Sequence, residues 1–460
     1  MAPKKGDDTK HDEYLKGIKH DGLRAVLAGV ADRDPDQQEF LSAVHEVAKS
    51  LEPVFDKKPE LLKALEVLCE PERQITFRVP WIDDKGEVQV NRGFRVQFSS
   101  ALGPYKGGLR FREGVNLSII KFLGFEQTFK NAITSLPMGS AKGGSDFEPK
   151  GKSSSEVQRF CQSFMTELHK YIGDRRDTPA GDIGVGPTEI GYLFGQYKRI
   201  AGVWNAALTG KGLGFGGSFI RPEATGYGVV FFAEAALKDR DDDLKDKRCV
   251  VSGSGNVASY CAMMLLRKGA KVLALSDSKG YVYVEDGLTE DQLKQVLEIK
   301  SNHNGSLEDF DGGKYVGDRA KPWEIDTEVD MAFPCATQNE VDEEDAKQLT
   351  QHGCKFLFEG ANMPCTSSAV EHFEKEGVLY APGKASNAGG VAVSWLEMVQ
   401  NRSGLSWEEE EVESKLEEIM KGVYESAKSA AEEYDTNLAA GANIAGFLKV
   451  ADAVMAEGAV

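Results

Sequence analysis

The feature that most constrains this chain is a short glycine turn set between two kinds of periodicity. Arg248-Cys249-Val250-Val251-Ser252 is an apolar run of strand length, Gly253-Ser254-Gly255-Asn256-Val257-Ala258 follows it, and a segment with Met263, Met264 and Leu266 at helical spacing comes next. Alone, a G-x-G-x-x-A pattern is a weak signal. Between a strand and the start of a helix it is a dinucleotide fingerprint. The glycines permit the tight turn and the close approach of a pyrophosphate, and the helix N-terminus supplies amide donors and positive potential. The binding turn is therefore assigned to Gly253, Ser254, Gly255, Asn256 and Val257. Further apolar segments lie at 271–276, 329–333, 355–358 and 378–381, each closed by a polar or Gly/Pro turn and separated by helical patterns. Strands alternating with helices imply a parallel, doubly wound sheet of the Rossmann type.

The end of the second strand bears on which dinucleotide is bound. Asp277 stands roughly 20 residues beyond the glycine turn, where an acid accepts from the ribose hydroxyls. A lone Asp favours NAD, because it repels a 2′-phosphate. Ser278 and Lys279, with Lys300 further on, offer a hydroxyl and two ammonium groups suited to that phosphate. The balance is read as NADP, with NAD as the alternative.

A chain of 460 residues exceeds what one core supports, so two or three domains are expected. The formal net charge of −18 argues against nucleic acid or an anionic membrane as the main partner. No apolar run is read as approaching the roughly 20 residues of a membrane span. The polar, acidic start lacks the features of a leader, and the seven cysteines show no CxxC pair. Together these are read as a cytoplasmic chain with reduced thiols. The seven histidines have no ligand spacing, and no metal is expected.

The first ~30 residues are polar and are expected to be frayed or lightly packed. Phe40, Val44, Val47 and Leu51 then share a helical face. Ile75, Phe77 and Val79, then Val88 and Val90, then Phe94, Val96 and Phe98 alternate with polar residues around the turn Asp83-Asp84-Lys85-Gly86, which predicts an antiparallel meander. Helices are expected over 154–172 and 188–206, around a loop at 177–184, and the tail from Trp407 onward is expected to be mainly helical.

Three lysines in this half have unusual neighbours. Lys106 lies in Gly103-Pro104-Tyr105-Lys106-Gly107-Gly108, Lys130 in Phe125-Glu126-Gln127-Thr128-Phe129-Lys130-Asn131, and Lys142 in Pro137-Met138-Gly139-Ser140-Ala141-Lys142-Gly143-Gly144. Glycine and apolar surroundings suit a tight, partly dry pocket. Three cations there suit a small dicarboxylate, and crowding would lower the pKa of one amine toward useful acid–base chemistry.

With these motifs assembled, the chain resembles the hexameric glutamate dehydrogenases of bacteria, fungi and algae, in the Glu/Leu/Phe/Val dehydrogenase family. The resemblance is carried by Gly103 to Phe111, Pro137 to Gly144, Pro179-Ala180-Gly181-Asp182-Ile183-Gly184, Arg221-Pro222-Glu223-Ala224-Thr225-Gly226, Glu359-Gly360-Ala361-Asn362-Met363-Pro364 and Asn387-Ala388-Gly389-Gly390-Val391-Ala392. It runs from about residue 35 to the end. It implies that Lys106, helped by Ser394, holds the distal carboxylate, and that Gln127 and Lys130 hold the α-carboxylate. Lys142 would be the catalytic lysine, Asp182 its acid–base partner, Gly181 a backbone contact to the amino group, and Thr225 and Asn256 dinucleotide contacts.

The implied architecture is α/β. Residues 1–214 would form a mixed substrate-binding and oligomerisation domain and 215–434 the Rossmann domain, with the active site in the cleft between them and the helix of 435–460 packed back on the first. The implied reaction is the reversible oxidative deamination of L-glutamate to 2-oxoglutarate and ammonium with NADP(H), in the ammonium-assimilating direction, by a homohexamer. An NAD-dependent form and an apolar amino-acid dehydrogenase on the same scaffold are the alternatives, and Lys106 and Ser394 argue against the latter. The length matches a short form without elaborate nucleotide regulation. Ser140 departs from the family's usual glycine, with no loss of activity expected.

Overall fold

A computed structural model describes residues 11–301 and 305–458. Part of the expectation for the first ~30 residues lies outside the described residues. From Leu15 onward the chain is packed, which corrects that expectation. Leu15 and Ile18 are buried, and the helix Asp21–Arg33 hides Leu23, Leu27 and Val30 completely. Apolar residues at helical spacing suffice to dock a segment whose average composition is polar.

Two sheets organise the rest. The first runs in the order Arg73–Ile82, Val88–Ser99, Ser140–Ser145, Tyr105–Phe111, Asp177–Gly181. The meander is its antiparallel half, with Arg73 opposite Gln97 and Ile82 opposite Val88. Its other half is parallel and carries the chemistry, because Lys106 and Lys142 lie on adjacent parallel strands. The glycine-rich stretches are thus strands as much as turns. A Cβ on Gly107 would stand 1.7 Å from the carbonyl oxygen of Ala141, so only glycine lets these two strands meet. The expected loop at 177–184 begins as the edge strand Asp177–Gly181. Pro179 concealed it, and an edge position is where a strand accommodates proline.

The second sheet runs Leu379–Ala381, Phe356–Phe358, Met331–Phe333, Arg248–Val251, Lys271–Asp277, Gly280–Tyr283, Lys314–Val316. Its first five strands are parallel. The last two are antiparallel additions that the sequence reading did not contain. They span only four and three residues, too few to show a periodicity.

The C-terminal helix Leu438–Glu457 buries Ile444, Phe447 and Val450 among the N-terminal helices, where Phe447 meets Phe55 edge-on at 5.7 Å. It also lies on the helix Leu117–Ile133, which carries Gln127 and Lys130. At 20 residues and mean hydropathy 1.4 it is long and apolar enough to match a membrane span, contrary to the sequence expectation. Its apolarity serves burial here, since small residues such as Gly441, Ala442 and Gly446 let it approach its neighbours closely.

Phe447→Ala is expected to cost about 3–5 kcal/mol, read as a lower unfolding midpoint in urea. An unchanged midpoint would mean that the helix does not dock as described.

Candidate functional site

At one end of the site Lys106 is almost completely buried, and its Nζ donates to Thr209 Oγ1 at 2.8 Å. The neighbouring carboxylates are already committed. Asp177 is paired with Arg95, and Glu397 with Lys211 at 2.7 Å. Lys106 and Arg221 form no ion pair among the described residues, and Arg221 Nε is buried without a hydrogen-bond partner. Burial, then Arg221, hold the Lys106 ammonium well below its ordinary pKa, against the pull of Glu397. Two cations without a carboxylate form an anion receptor. Ser394 is buried, but its hydroxyl donates to Gly390 O within its own helix, so Thr209 is the hydroxyl that meets Lys106.

Lys130 lies on the next wall and donates to Asn387 Oδ1, which belongs to the second half of the chain. Burial, then the nearby Lys142, bring Lys130 down to about 8. Gln127 donates to Asn131 Oδ1 at 2.6 Å, and Asn131 Nδ2 donates to the carbonyls of Lys106 and Gly139 at 3.1 and 2.7 Å. One helix therefore ties together the segments that present all three lysines. Ser140 joins the same network, because its hydroxyl lies 2.6 Å from Thr128 Oγ1 on that helix, both residues being buried. The serine at this position is thus accommodated and bonded.

Lys142 faces Asp182 at 3.4 Å, and Arg110 Nε donates to the same carboxylate at 2.9 Å. At that Lys142–Asp182 separation an effective dielectric of 20 gives roughly 5 kcal/mol of attraction, similar to the several kcal/mol each ion loses on burial. The number of partners then decides. Burial alone would raise the Asp182 pKa, but two cations outweigh it and hold the carboxyl below its ordinary range. For Lys142 burial dominates; Asp182 opposes it and Arg110 adds repulsion, so the amine is lowered. An ionised acid beside a readily neutralised amine is an acid–base pair. Gly181 ends the edge strand beside Asp182, and a Cβ there would come within 2.4 Å of Val185 O.

The glycine turn opens the helix Asn256–Arg267, which has no side-chain cap. Gly253 is left-handed at φ 89° and donates to Ser276 Oγ at 2.8 Å. A Cβ on Gly255 would meet nothing within 4 Å, so the turn faces open space where a pyrophosphate fits. Ser254 and Val257 flank this mouth, the former buried. Thr225 sits in the first turn of Ala224–Lys238 against Gly390.

Asp277 bears directly on the cofactor. Its two oxygens accept from the Lys279 and Leu307 backbone amides, both at 2.9 Å, with Lys300 Nζ at 3.5 Å. Its carboxylate holds this turn together while Ser278 and Lys279 stand exposed. Burial would raise the Asp277 pKa, but these donors keep it below the usual range. The sign that seemed to favour NAD is therefore largely spent within the fold.

A family model described as Glutamate/Leucine/Phenylalanine/Valine dehydrogenase matches residues 216–458, and a second, described as Glu/Leu/Phe/Val dehydrogenase, dimerisation domain, matches 71–199. The chain belongs to the Glu/Leu/Phe/Val dehydrogenase family. It is 61% identical to an NADP-specific glutamate dehydrogenase of Chlorella sorokiniana, over 100% of this chain and 88% of that one. It is 52% identical to the NADP-specific glutamate dehydrogenase of Escherichia coli K12, over 95% and 99%. The solved structure of Plasmodium falciparum glutamate dehydrogenase 2 superposes with a TM-score of 0.92 at 53% identity, covering 95% of this chain and 97% of that one.

Thr209, Arg221, Asn387 and Arg110 were not singled out from the sequence. Arg110, Arg221 and Asn387 lie inside motifs that carried the family resemblance, whereas Thr209 has no local signal.

Replacing Asp182 with Asn is expected to lower kcat by roughly 10²–10⁴-fold and to move the rising limb of its pH profile to lower pH, because Lys142 loses the carboxylate that favours its charged form. A profile that keeps its shape would remove Asp182 from proton transfer. Ser140→Ala is expected to cost about 1 kcal/mol of stability through the lost Thr128 bond, measured by denaturant titration; no loss would make that bond energetically idle.

Proposed function

We infer that this chain is an NADP-dependent glutamate dehydrogenase. The observation that carries the reading is two cations, Lys106 buried and Arg221 partly buried with its Nε unpartnered, neither in an ion pair among the described residues. A distal carboxylate completes that pocket, and an apolar side chain would leave both charges stranded in a dry site. The residues around Gly253–Val257 fit a dinucleotide, and the turn at Asp277–Lys279, with Lys300, fits its 2′-phosphate. Asn256 opens the helix at that mouth, and Thr225, in the first turn of Ala224–Lys238, is proposed to reach the same cofactor.

NADPH, when bound, supplies the hydride that makes the reaction a reductive amination of 2-oxoglutarate. The protein's part is positioning and proton transfer. Lys106 and Arg221 grip the distal carboxylate, and Lys130 with Gln127 grips the α-carboxylate. Holding both ends of the substrate fixes which carbon faces the cofactor. Lys142, readily neutral, takes or returns the proton of the water that leaves or attacks at that carbon. Asp182 shuttles protons to and from nitrogen, and the backbone at Gly181 lies beside that nitrogen. Ser394, on the helix Gly389–Ser403, keeps its hydroxyl on Gly390 O.

We also propose a homohexamer acting in ammonium assimilation in the cytoplasm. Ile82, Val88 and Val90 are exposed apolar side chains on the outer hairpin of the first sheet and supply surface for a subunit contact. The seven cysteines are buried and unpaired, which suits a reducing compartment. The proposed division places the substrate domain at 1–214, the Rossmann domain at 215–434 and the returning helix at 435–460.

The test is the oxidation of NADPH, followed by absorbance, with 2-oxoglutarate and ammonium, compared with NADH and with apolar 2-oxoacids. Turnover is expected with NADPH and 2-oxoglutarate, and its absence would overturn the assignment. Lys106→Leu is expected to lower kcat/KM for 2-oxoglutarate by roughly 10³-fold, with Arg221 retaining part of the attraction, and to admit norleucine or methionine in the reverse direction. Unchanged kinetics would place the distal carboxylate elsewhere. KM for 2-oxoglutarate is expected to climb as pH rises through about 8, where Lys130 loses its charge. A flat KM across that range would remove Lys130 from carboxylate binding.

A further inference from the structure

We propose that Glu397 is a positioning residue for substrate selection, holding the loop that presents Thr209 to Lys106 in the distal-carboxylate pocket. The proposal rests on the reading of Lys106 as the distal-carboxylate ligand.

Glu397 is fully buried on the helix Gly389–Ser403, one turn beyond Ser394. Its Oε2 accepts from Gly210 N at 2.8 Å, and its Oε1 accepts from Lys211 Nζ at 2.7 Å and from Lys211 N at 3.4 Å. Lys211 is equally buried, also donates to Leu208 O, and stands 5.6 Å from the Phe194 ring centroid. The residue just before this clamp is Thr209, whose hydroxyl accepts from Lys106 and whose amide donates to Pro179 O at 3.0 Å on the edge strand. One carboxylate thus ties the loop that presents Thr209 to Lys106 onto the helix Gly389–Ser403.

The choice of an ion pair has a second consequence. A carboxylate at this depth needs a compensating cation, and Lys211 supplies it. Glu397 is therefore ion-paired with Lys211 and, among the described residues, with neither Lys106 nor Arg221, although its charge still favours their charged forms. An acid at the same depth without Lys211 would capture one of those cations and compete with the substrate's own carboxylate. The arrangement provides a rigid acceptor for two backbone amides while leaving the receptor charge available.

A bare structural staple would affect stability, kcat and every KM together. A positioning role predicts a selective effect. In Glu397→Leu/Lys211→Met both charges go and the Gly210 amide loses its acceptor. KM for 2-oxoglutarate is expected to rise about tenfold or more, while the KM values for NADPH and ammonium stay within about twofold and kcat within about threefold. Glu397→Gln/Lys211→Met keeps an oxygen for the Gly210 amide and is expected to restore most of that loss. Thr209→Val, which leaves the clamp intact, should reproduce the selective rise in KM. Equal changes in all KM values, or no change in KM for 2-oxoglutarate in either the clamp variant or Thr209→Val, would overturn the proposal. If the clamp variant fails to fold, Glu397→Asp, which keeps the charge but shortens the reach to the Gly210 amide, decides by the same signature: a selective rise in KM for 2-oxoglutarate supports the proposal and its absence overturns it. Lys106→Leu is run alongside. If it leaves 2-oxoglutarate kinetics untouched, the distal-pocket reading itself fails. If it acts as expected while the clamp variants do not, only the role of Glu397 falls.

Discussion

The burial of ammonium groups is the constraint on which this molecule turns. Lys106 and Lys142 are buried and Lys130 is partly so, yet among the described residues only Lys142 of the three has a carboxylate within ion-pair distance. Withdrawing an unpaired cation is costly, so the surrounding fold must be rigid enough to enforce it. Most of the stabilisation therefore comes from elsewhere, through packed cores on both sheets and the C-terminal helix returning to the first. The strain of the site is relieved when a dicarboxylate arrives. That makes recognition and charge compensation the same event.

Rigidity is supplied by backbone proximity as much as by side chains. The strands bearing Lys106 and Lys142 approach so closely that a Cβ at Gly107 would overlap a carbonyl oxygen. The helix bearing Gln127 and Lys130 is bolted to both through Asn131, and to the Lys142 strand again through Thr128 and Ser140. The distal end is held by the Glu397–Lys211 pair. From the opposite side of the cleft, Asn387 reaches Lys130 while its own amide donates to Gly360 O, Ala361 O and Asn362 Oδ1. That contact links the half carrying the dinucleotide turn to the half carrying the lysines, which is what closing a cleft over substrate requires.

Features written locally were legible in the sequence. The dinucleotide turn was readable because strand, glycines and helix are consecutive, and the lysines stood out because glycines surround them. Features that depend on distant partners were not. Thr209 meets Lys106 across 103 residues of sequence, and nothing around it marks it. The strand at Asp177–Gly181 was hidden by its proline and glycine, and the antiparallel strands beside Lys271–Asp277 by their length of only four and three residues. Asp277 taken alone leaned toward NAD, and only the balance with Ser278 and Lys279 was read as NADP, because its sign is a sequence property, whereas the amides that occupy it belong to the fold. The N-terminal helix was underestimated because average polarity masks a narrow apolar stripe.

The account's central claim is that the cleft holds cations awaiting the substrate's carboxylates. It is tested most directly by calorimetric titration of 2-oxoglutarate into the enzyme with NADPH bound, at pH about 8, where Lys130 sits near its midpoint. Repeating it in buffers of different ionisation enthalpy gives the number of protons exchanged on binding. The account predicts net proton uptake, because lysines depleted of charge by burial regain it when their carboxylate partners arrive. Binding with no proton uptake, or with proton release, would contradict it.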